Sequence, residues 1–573
     1  MPPPNPAPFV DQASVNRAAR ELLEFVNPHA EWFILEDGRL PLEVNRTEFD
    51  FSVAHGRLIF SSWTQRGARA WRVTAWNQSG EKLVLEVSRR MGAEAATIEL
   101  MPRASARALV ATIAAARQAR CEVLAQIVGQ TLGEGVGFRG LDVGTIALEL
   151  NSLSLWERAG VRGEAGTIVN PHPNPLPKRE GTQPKPQTQH PGIKIERASL
   201  SPGMRRDQPG RYARIILRLP HERIAVTATV AESDPRNVDS LFSSALLWFA
   251  RAQAAPKRPP ISRLLIIVER KILEAARQRH VLLRDSLRQR IELMKIDDDW
   301  REVDLTPAWE RRYLWRKRLA RFPPLIESSS TNKVSEVVAI DPGAIDVVAS
   351  RHGQTLRYHG LPFARVRTVM DRDRIWFGIE GSRRRSLDEY HYRDWTKLLG
   401  DLRTYRRESC RDRRHWFYRA AGEAWLESIL RRDISKLDPG LIVAPLHAQF
   451  RTSHGGPTGA RPIDLLALRH DGRLAVIELK VSEDREHVFQ GVDYWRRVEA
   501  HRRRGHISNA KLFGEREISD ESPLVYLVAP ALRFHPSFAT LAETIAPDIE
   551  IYRFDINEDW RAGVRVVRRE RVN

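Results

Sequence analysis

The stretch RLAVIELKVSEDREHVFQGVDYW, Arg473 to Trp495, sets the tightest limit on what this chain can become. Its opening reads as a core strand. Alternation puts Ala475, Ile477, Leu479 and Val481 on one face and Leu474, Val476, Glu478 and Lys480 on the other. A buried charge costs several kcal/mol unless it is paired or coordinates a metal, so Glu478 and Lys480 need partners. The preceding run PIDLLAL (462–468) supplies Asp464, and the linking RHDGR (469–473), with Asp471-Gly472, predicts a tight hairpin that brings Asp464 to Glu478. Two carboxylates at one point of a core face form an oxygen-ligand site for Mg²⁺ or Mn²⁺. Lys480, one pleat along, suits a phosphate or an attacking water. Metal plus lysine is equipment for phosphodiester hydrolysis.

Asp464 followed by Glu478-Leu479-Lys480 on the next strand resembles the PD-(D/E)xK nuclease superfamily; here Pro462 and Asp464 are separated by Ile463. QGVDYW matches the Gln and Tyr that this family often carries on the following helix, as Gln490 and Tyr494. GEAWLESILRRDI (422–434) offers the family's acid on the preceding helix, with Glu423, in the spacing E-x-x-L, preferred over Glu427. The resemblance covers residues 415–555 and implies a restriction-endonuclease-like α/β/α core with a mixed sheet. It implies that Asp464, Glu478 and the backbone carbonyl of Leu479 bind the divalent metal. Lys480 would position water or the scissile phosphate, Gln490 would orient water or backbone, and Glu423 would complete the catalytic set. The implied activity is a metal-dependent endonuclease acting on DNA. The alternatives are a catalytically inactive nucleic-acid-binding protein of the same fold and a basic protein that meets an acidic partner.

Charge agrees with a polyanionic partner. The 573 residues hold 91 Lys plus Arg against 72 Asp plus Glu, a net charge of +19. Basic clusters recur at 382–385, 403–419, 501–506 and 565–573, and the second interleaves Tyr405, Trp416, Phe417 and Tyr418. Arginines among aromatics suit phosphate contacts and base stacking, so Arg411, Arg413, Arg414, Trp416, Arg502, Arg503 and Arg504 are the candidate nucleic-acid contacts. DNA is favoured; RNA stays open because the resembled fold class includes tRNA-processing enzymes. Only Cys121 and Cys410 are present, which excludes a disulfide framework and suits a reducing cytoplasm. With no apolar run of about 18 residues and no signal-peptide pattern, no membrane partner is expected. Monomer and homodimer both stay open.

At roughly 100–200 residues per domain, a chain of this length should form several units. The expected class is multidomain, α/β with β modules. Residues 1–103 read as a β-rich module, 104–300 as an α/β domain, 301–334 as a linker, 335–400 as a second β-rich module and 410–573 as the nuclease-like domain. Within these, 269–296 reads as one long helix, strands follow from 335, and 410–436 reads as a basic helical region. Residues 153–192 are Pro- and Gly-rich and resemble the translation of a palindromic repeat dispersed in some bacterial genomes, which implies a disordered in-frame insertion and a bacterial source. VVAIDPGAIDVV (337–348) offers a rival site, since a strand ending in Asp341-Pro-Gly resembles the first metal-ligand strand of RNase H-like resolvases. HGGPTG (454–459) lacks the Lys-Ser/Thr of a phosphate loop and reads as a loop beside the site.

The opening strand also has an echo. RIAVTATVAESDPRNV (223–238) aligns without gaps to 473–488, and Ala228 and Val230 stand where Glu478 and Lys480 do. FDFSVAHGRLIF (49–60) and IDVVASRHGQTLRY (345–358) share a strand, His-Gly turn, strand pattern. Two tandem halves are expected, the first a degenerate nuclease-like copy without its site.

Overall fold

The computed structural model describes residues 12–133, 193–319 and 331–573, apart from short breaks at 37–41, 55, 65–66, 90–93, 106, 204–209, 232, 256–258, 298–299, 317–318, 351–352, 370–371, 380–384, 451 and 453–461. The expected insertion at 153–192 and the HGGPTG loop lie outside the described residues. The chain is mixed α/β with four multi-strand sheets among the described residues. They fall in two compact units, one built from residues up to Asp234 with Trp248–Glu274 and Arg290–Ala308, the other from Pro235–Leu247, Ala275–Gln289 and Trp309–Asn573. No described helix is long and apolar enough to cross a membrane.

The first unit opens with α1 (Gln12–Val26), whose Val15, Ala18, Ala19, Leu22 and Val26 recur at helical spacing and are buried. They cover a seven-stranded antiparallel sheet, β1 (Glu31–Glu36) to β7 (Glu94–Pro102), packing with Trp32, Phe49 and Phe60. α2 (Arg107–Gly133) serves two cores. Its Leu109 and Ile113 meet Phe33, Leu35 and Met101, and its Cys121, Leu124 and Val128 meet the next sheet. That sheet has six strands in sequential order: β8 (Lys194–Leu200), β9 (Tyr212–Arg218), β10 (Arg223–Thr229), β11 (Ile261–Glu269), β12 (Ile291–Ile296) and β13 (Val303–Leu305). The pairs β10–β11 and β11–β12 are parallel and the other three are antiparallel. Helix α3 (Val238–Ala254) lies between β10 and β11 in sequence, and α4 (Arg270–His280) between β11 and β12.

The second unit follows the same plan. α5 (Asn332–Ile340) precedes a five-stranded antiparallel meander, β14 (Ile345–Ser350) to β18 (Arg385–Ser386), and α6 (Tyr392–Tyr405) covers it with Trp395, Leu399 and Leu402. After α7 (Trp416–Arg419) and α8 (Gly422–Arg432) come six more strands in sequential order: β19 (His447–Phe450), β20 (Ile463–Leu468), β21 (Leu474–Leu479), β22 (Leu524–Pro530), β23 (Ile551–Ile556) and β24 (Val566–Arg571). Again the third strand pairs parallel with the fourth, the fourth parallel with the fifth, and the rest antiparallel. α9 (His487–Arg502) leads from β21 toward β22. β21 is buried on both faces. Ala475, Ile477 and Leu479 pack with Trp425, Leu426 and Leu430 of α8, while Leu474 and Val476 pack with Tyr494 and Val498 of α9.

The structure corrects several expectations. The long helix at 269–296 ends at His280, and IELMKI is β12, because a short apolar run bounded by turns fits a parallel ladder with β11 as well as a helix. The expected linker 301–334 contains β13, which closes the edge of the first six-stranded sheet, and reaches into α5. VVAI of the rival site ends that helix instead of forming a strand, so Asp341 caps a helix and accepts a 2.6 Å hydrogen bond from the Tyr358 hydroxyl. The RNase H-like reading loses its strand. The basic segment 410–436 is irregular up to His415 and then forms two helices.

Candidate active site

The hairpin β20–β21 pairs Leu465 with Ile477, which places Asp464 and Glu478 opposite each other as the next pair along. Both follow from the strand period, and both sit where the sheet core ends. Glu478 is almost wholly buried and Asp464 is half-buried. The Leu479 N–H donates to Asp464 Oδ2 at 2.9 Å. Lys480 Nζ donates to Glu478 Oε1 at 2.7 Å and stands 3.6 Å from Asp484 Oδ2. Among the described residues no donor reaches Glu478 Oε2, nor does any partner reach the buried amide oxygen of Gln490.

Burial, then the neighbouring Asp464 charge, pushes the Glu478 carboxyl well above its ordinary pKa, against the pull of Lys480. Burial raises Asp464 too, partly offset by the Leu479 N–H. For Lys480, burial works downward but is outweighed by Glu478, Glu423 and Asp484, so the ammonium is held above its usual range. His487, at the start of α9, is lowered to about 3 by burial and by Lys480, and its neutral ring lies 3.3 Å from the Glu478 carbonyl.

The helix before the sheet delivers two more acids. Gly422 opens α8 against Val481, where a Cβ would lie 2.8 Å from the valine Cγ2, so only glycine lets the helix start this close to the end of β21. The next residue, Glu423, acts electrostatically on both Glu478 and Lys480. Glu427, one turn on and buried, instead accepts 2.7 Å from Gln449 Nε2 and pairs with Arg357 at 3.5 Å. Gln449 also reaches Asp464 Oδ1 at 3.4 Å. Gln490 and Tyr494 are both buried on α9, with Arg497 over the Tyr494 ring at 4.5 Å.

Gln449, His487 and Asp484 were not picked out by sequence reasoning. Asp484 lies in the loop between β21 and α9, where spacing alone does not bring it to Lys480. Gln449 was not legible either, because its place depends on the register of β19.

Among the described residues no group of three or more His, Cys, Asp or Glu side chains is placed to hold a metal. The donors of one point are therefore two carboxylates and the backbone beside them. That still fits Mg²⁺, which takes one or two carboxylates and completes its octahedron with water and phosphate oxygens. The unpartnered Glu478 oxygen is the atom such an ion would satisfy. Glu423 of α8, Asp464 of β20, Glu478 of β21 with Lys480 just beyond it, and Gln490 of α9 thus come from four elements; the carbonyl of Leu479 belongs to the same strand end as Glu478.

The basic candidates divide. Arg411, Arg413 and Arg414 are exposed, and Trp416, 51% exposed, stacks on Phe417 at 4.2 Å. Tyr405 stacks on His415 at 3.7 Å behind them. Arg502, by contrast, is locked on Glu499 by contacts of 2.7 and 2.9 Å, and Arg504 donates to the carbonyls of Ala500 and Trp315. Arg503 also binds Glu499, at 2.6 Å, and lies over Trp315. These three arginines hold the end of α9 in place, and Arg502 has little surface left for a phosphate.

No family model, curated protein or solved structure matches the chain.

Proposed function

We propose that the chain is a Mg²⁺- or Mn²⁺-dependent endonuclease of the PD-(D/E)xK type, with a restriction-endonuclease-like second unit, that hydrolyses phosphodiester bonds in DNA. One observation carries the reading. Asp464 and Glu478 face each other in a buried sheet, Glu478 keeps an oxygen without a donor, and Lys480 stands beside it. A buried carboxylate pair of this kind is costly unless a proton or a cation relieves it.

Asp464, Glu478 and the Leu479 carbonyl would hold the metal. When bound, it supplies Lewis acidity, lowering the pKa of a coordinated water and screening the phosphate charge. A water oxygen bonds to phosphorus as the bond to the leaving oxygen breaks. One proton ends on that oxygen and the other passes to solvent from the new phosphate monoester. Lys480 stays protonated at neutral pH, so its part is to hold a phosphate oxygen or the water by charge, not to remove a proton. Glu423 adds negative charge beside Lys480 and keeps it charged. Gln490, buried in the first turn of α9, would orient water or backbone. Arg411, Arg413, Arg414 and Trp416 form the surface for backbone and bases.

The test is cleavage of DNA by the purified chain with Mg²⁺ or Mn²⁺. Lys480→Ala should abolish cutting and leave binding; equal cutting by this variant ends the assignment. A second reading, an inactive nucleic-acid binder of the same fold, is favoured by the closed ion pair between Lys480 and Glu478. It expects salt-sensitive DNA binding that is indifferent to metal and to Asp464→Ala.

A further inference from the structure

Resting on the nuclease reading, we propose that this chain cuts one strand of duplex DNA per engagement, because it carries two copies of one sheet plan and only one of them has a site. The copies agree strand by strand. β8 to β13 and β19 to β24 share order and direction at every pairing. They also agree in register. Glu478 faces Asp464 in the second sheet, and its sequence counterpart Ala228 faces Ala213 in the first. The counterpart of Lys480 is Val230. Ala213, Ala228 and Val230 are 0%, 3% and 1% exposed and belong to the apolar core with Ile215, Val226 and Leu265. Methyl and isopropyl groups offer a cation or a phosphate nothing to bind.

A duplex presents two strands of opposite polarity. A protein with two equivalent sites can hydrolyse both in one encounter. A protein with one site adds one water across one phosphodiester, producing a phosphate monoester end and a hydroxyl end in a single strand. To reach the other strand it must release the DNA and rebind in the reversed orientation, or a second chain must act. The nicked duplex is therefore the product that leaves.

The experiment follows supercoiled circular duplex DNA with the full chain and Mg²⁺, at protein below and above the DNA concentration. Circular single-stranded DNA runs in parallel. The expected result is that nicked circle makes up nearly all product before linear DNA appears, at a rate proportional to protein concentration, and that Lys480→Ala leaves no residual nicking. Linear DNA without a preceding nicked circle, or a cutting rate rising with the square of protein concentration, overturns the proposal. So does residual nicking by Lys480→Ala, which would mean a second site. Cutting of the single-stranded circle alone overturns it while leaving the nuclease reading intact. Two uncut circles overturn both.

Discussion

Gln449 faces Asp464 across the β19–β20 pair with its backbone in the left-handed region, φ 50°, and its amide nitrogen 2.7 Å from Glu427 and 3.4 Å from Asp464. A left-handed non-glycine residue inside a strand costs about 1–3 kcal/mol and persists where surrounding contacts over-determine it. Here the contact is an amide between two acids of the candidate site. Gln449→Gly keeps the backbone and removes the amide. We expect its thermal stability to match or exceed wild type, while the metal concentration for half-maximal cleavage rises about tenfold, as for outer-shell ligand partners. An unchanged metal requirement would show that the amide has no part in the site.

Asp464→Asn removes one of two facing carboxylates and brings an N–H beside the unpartnered Glu478 oxygen. Without metal the variant should be more stable than wild type by about 1–3 kcal/mol, with cutting lost. Wild type should gain melting temperature on adding Mg²⁺ and the variant should not. A variant that is less stable without metal and still responds to Mg²⁺ contradicts this account.

The raised Glu478 pKa sets a pH dependence. The folded chain keeps a proton there that the unfolded chain has already lost. Between the ordinary carboxylate pKa and the raised one, the unfolded state binds fewer protons, so this group's contribution to stability falls as pH rises. A divalent cation takes over the proton's role and competes with it. The Mg²⁺-induced rise in melting temperature should therefore be small near about pH 5 and grow toward about pH 8. A rise that is the same across that range would count against metal binding at Glu478.

The arginine clusters should separate in binding titrations. Arg411→Ala, Arg413→Ala and Arg414→Ala should each lower the slope of log affinity against log salt by about one. Arg502→Ala should leave the slope alone and lower thermal stability, since it strips one of two arginine partners from Glu499, which is fully buried. The reverse pattern would move the nucleic-acid surface to the end of α9.

Arg406 is fully buried and donates to the carbonyls of Tyr358, His359, Phe417, Ala420 and Ala421, with four contacts of 2.7 to 2.8 Å and one of 3.4 Å. It ties the β15–β16 turn to the residues just before α8. Arg406→Met removes this donor from the carbonyls of Tyr358, His359, Phe417 and Ala420, at about 1–3 kcal/mol for a buried group left unsatisfied, while the Ala421 carbonyl keeps the Trp425 N–H. We expect a large drop in melting temperature, and a fall in cleavage rate at temperatures where the variant is folded, because Glu423 loses its anchor. Folded variant with full activity would detach the meander from the site.

The hairpin was legible because period-two alternation and Asp471-Gly472 fix which side chains oppose which, so two charges in an apolar run already demanded a third. The echo at Arg223–Val238 was legible for the same reason, and β10 and β21 hold the same place in their sheets. Two elements misled. NKVSEVVAI is valine-rich, yet Val334 and Val337 are buried at helical spacing against the meander, and that packing outweighs β propensity. IELMKI is too short for periodicity to decide. Gln449 was invisible because neither its left-handed φ nor its partners are properties of its neighbours in sequence. Arg502 and Arg503 read as ligands for phosphate since sequence shows charge but not Glu499 folded beneath them.

Ala213, Ala228 and Val230 make the first six-stranded sheet an internal reference for the second. Each copy has the same ladder, and only the second sets two facing carboxylates and a lysine at the end of its third strand, where the first has Ala213, Ala228 and Val230. Heating the full chain with and without Mg²⁺ weighs one against the other in a single polypeptide, at one temperature and in one solvent. The difference is what this fold forgoes in cohesion to hold chemistry at its centre.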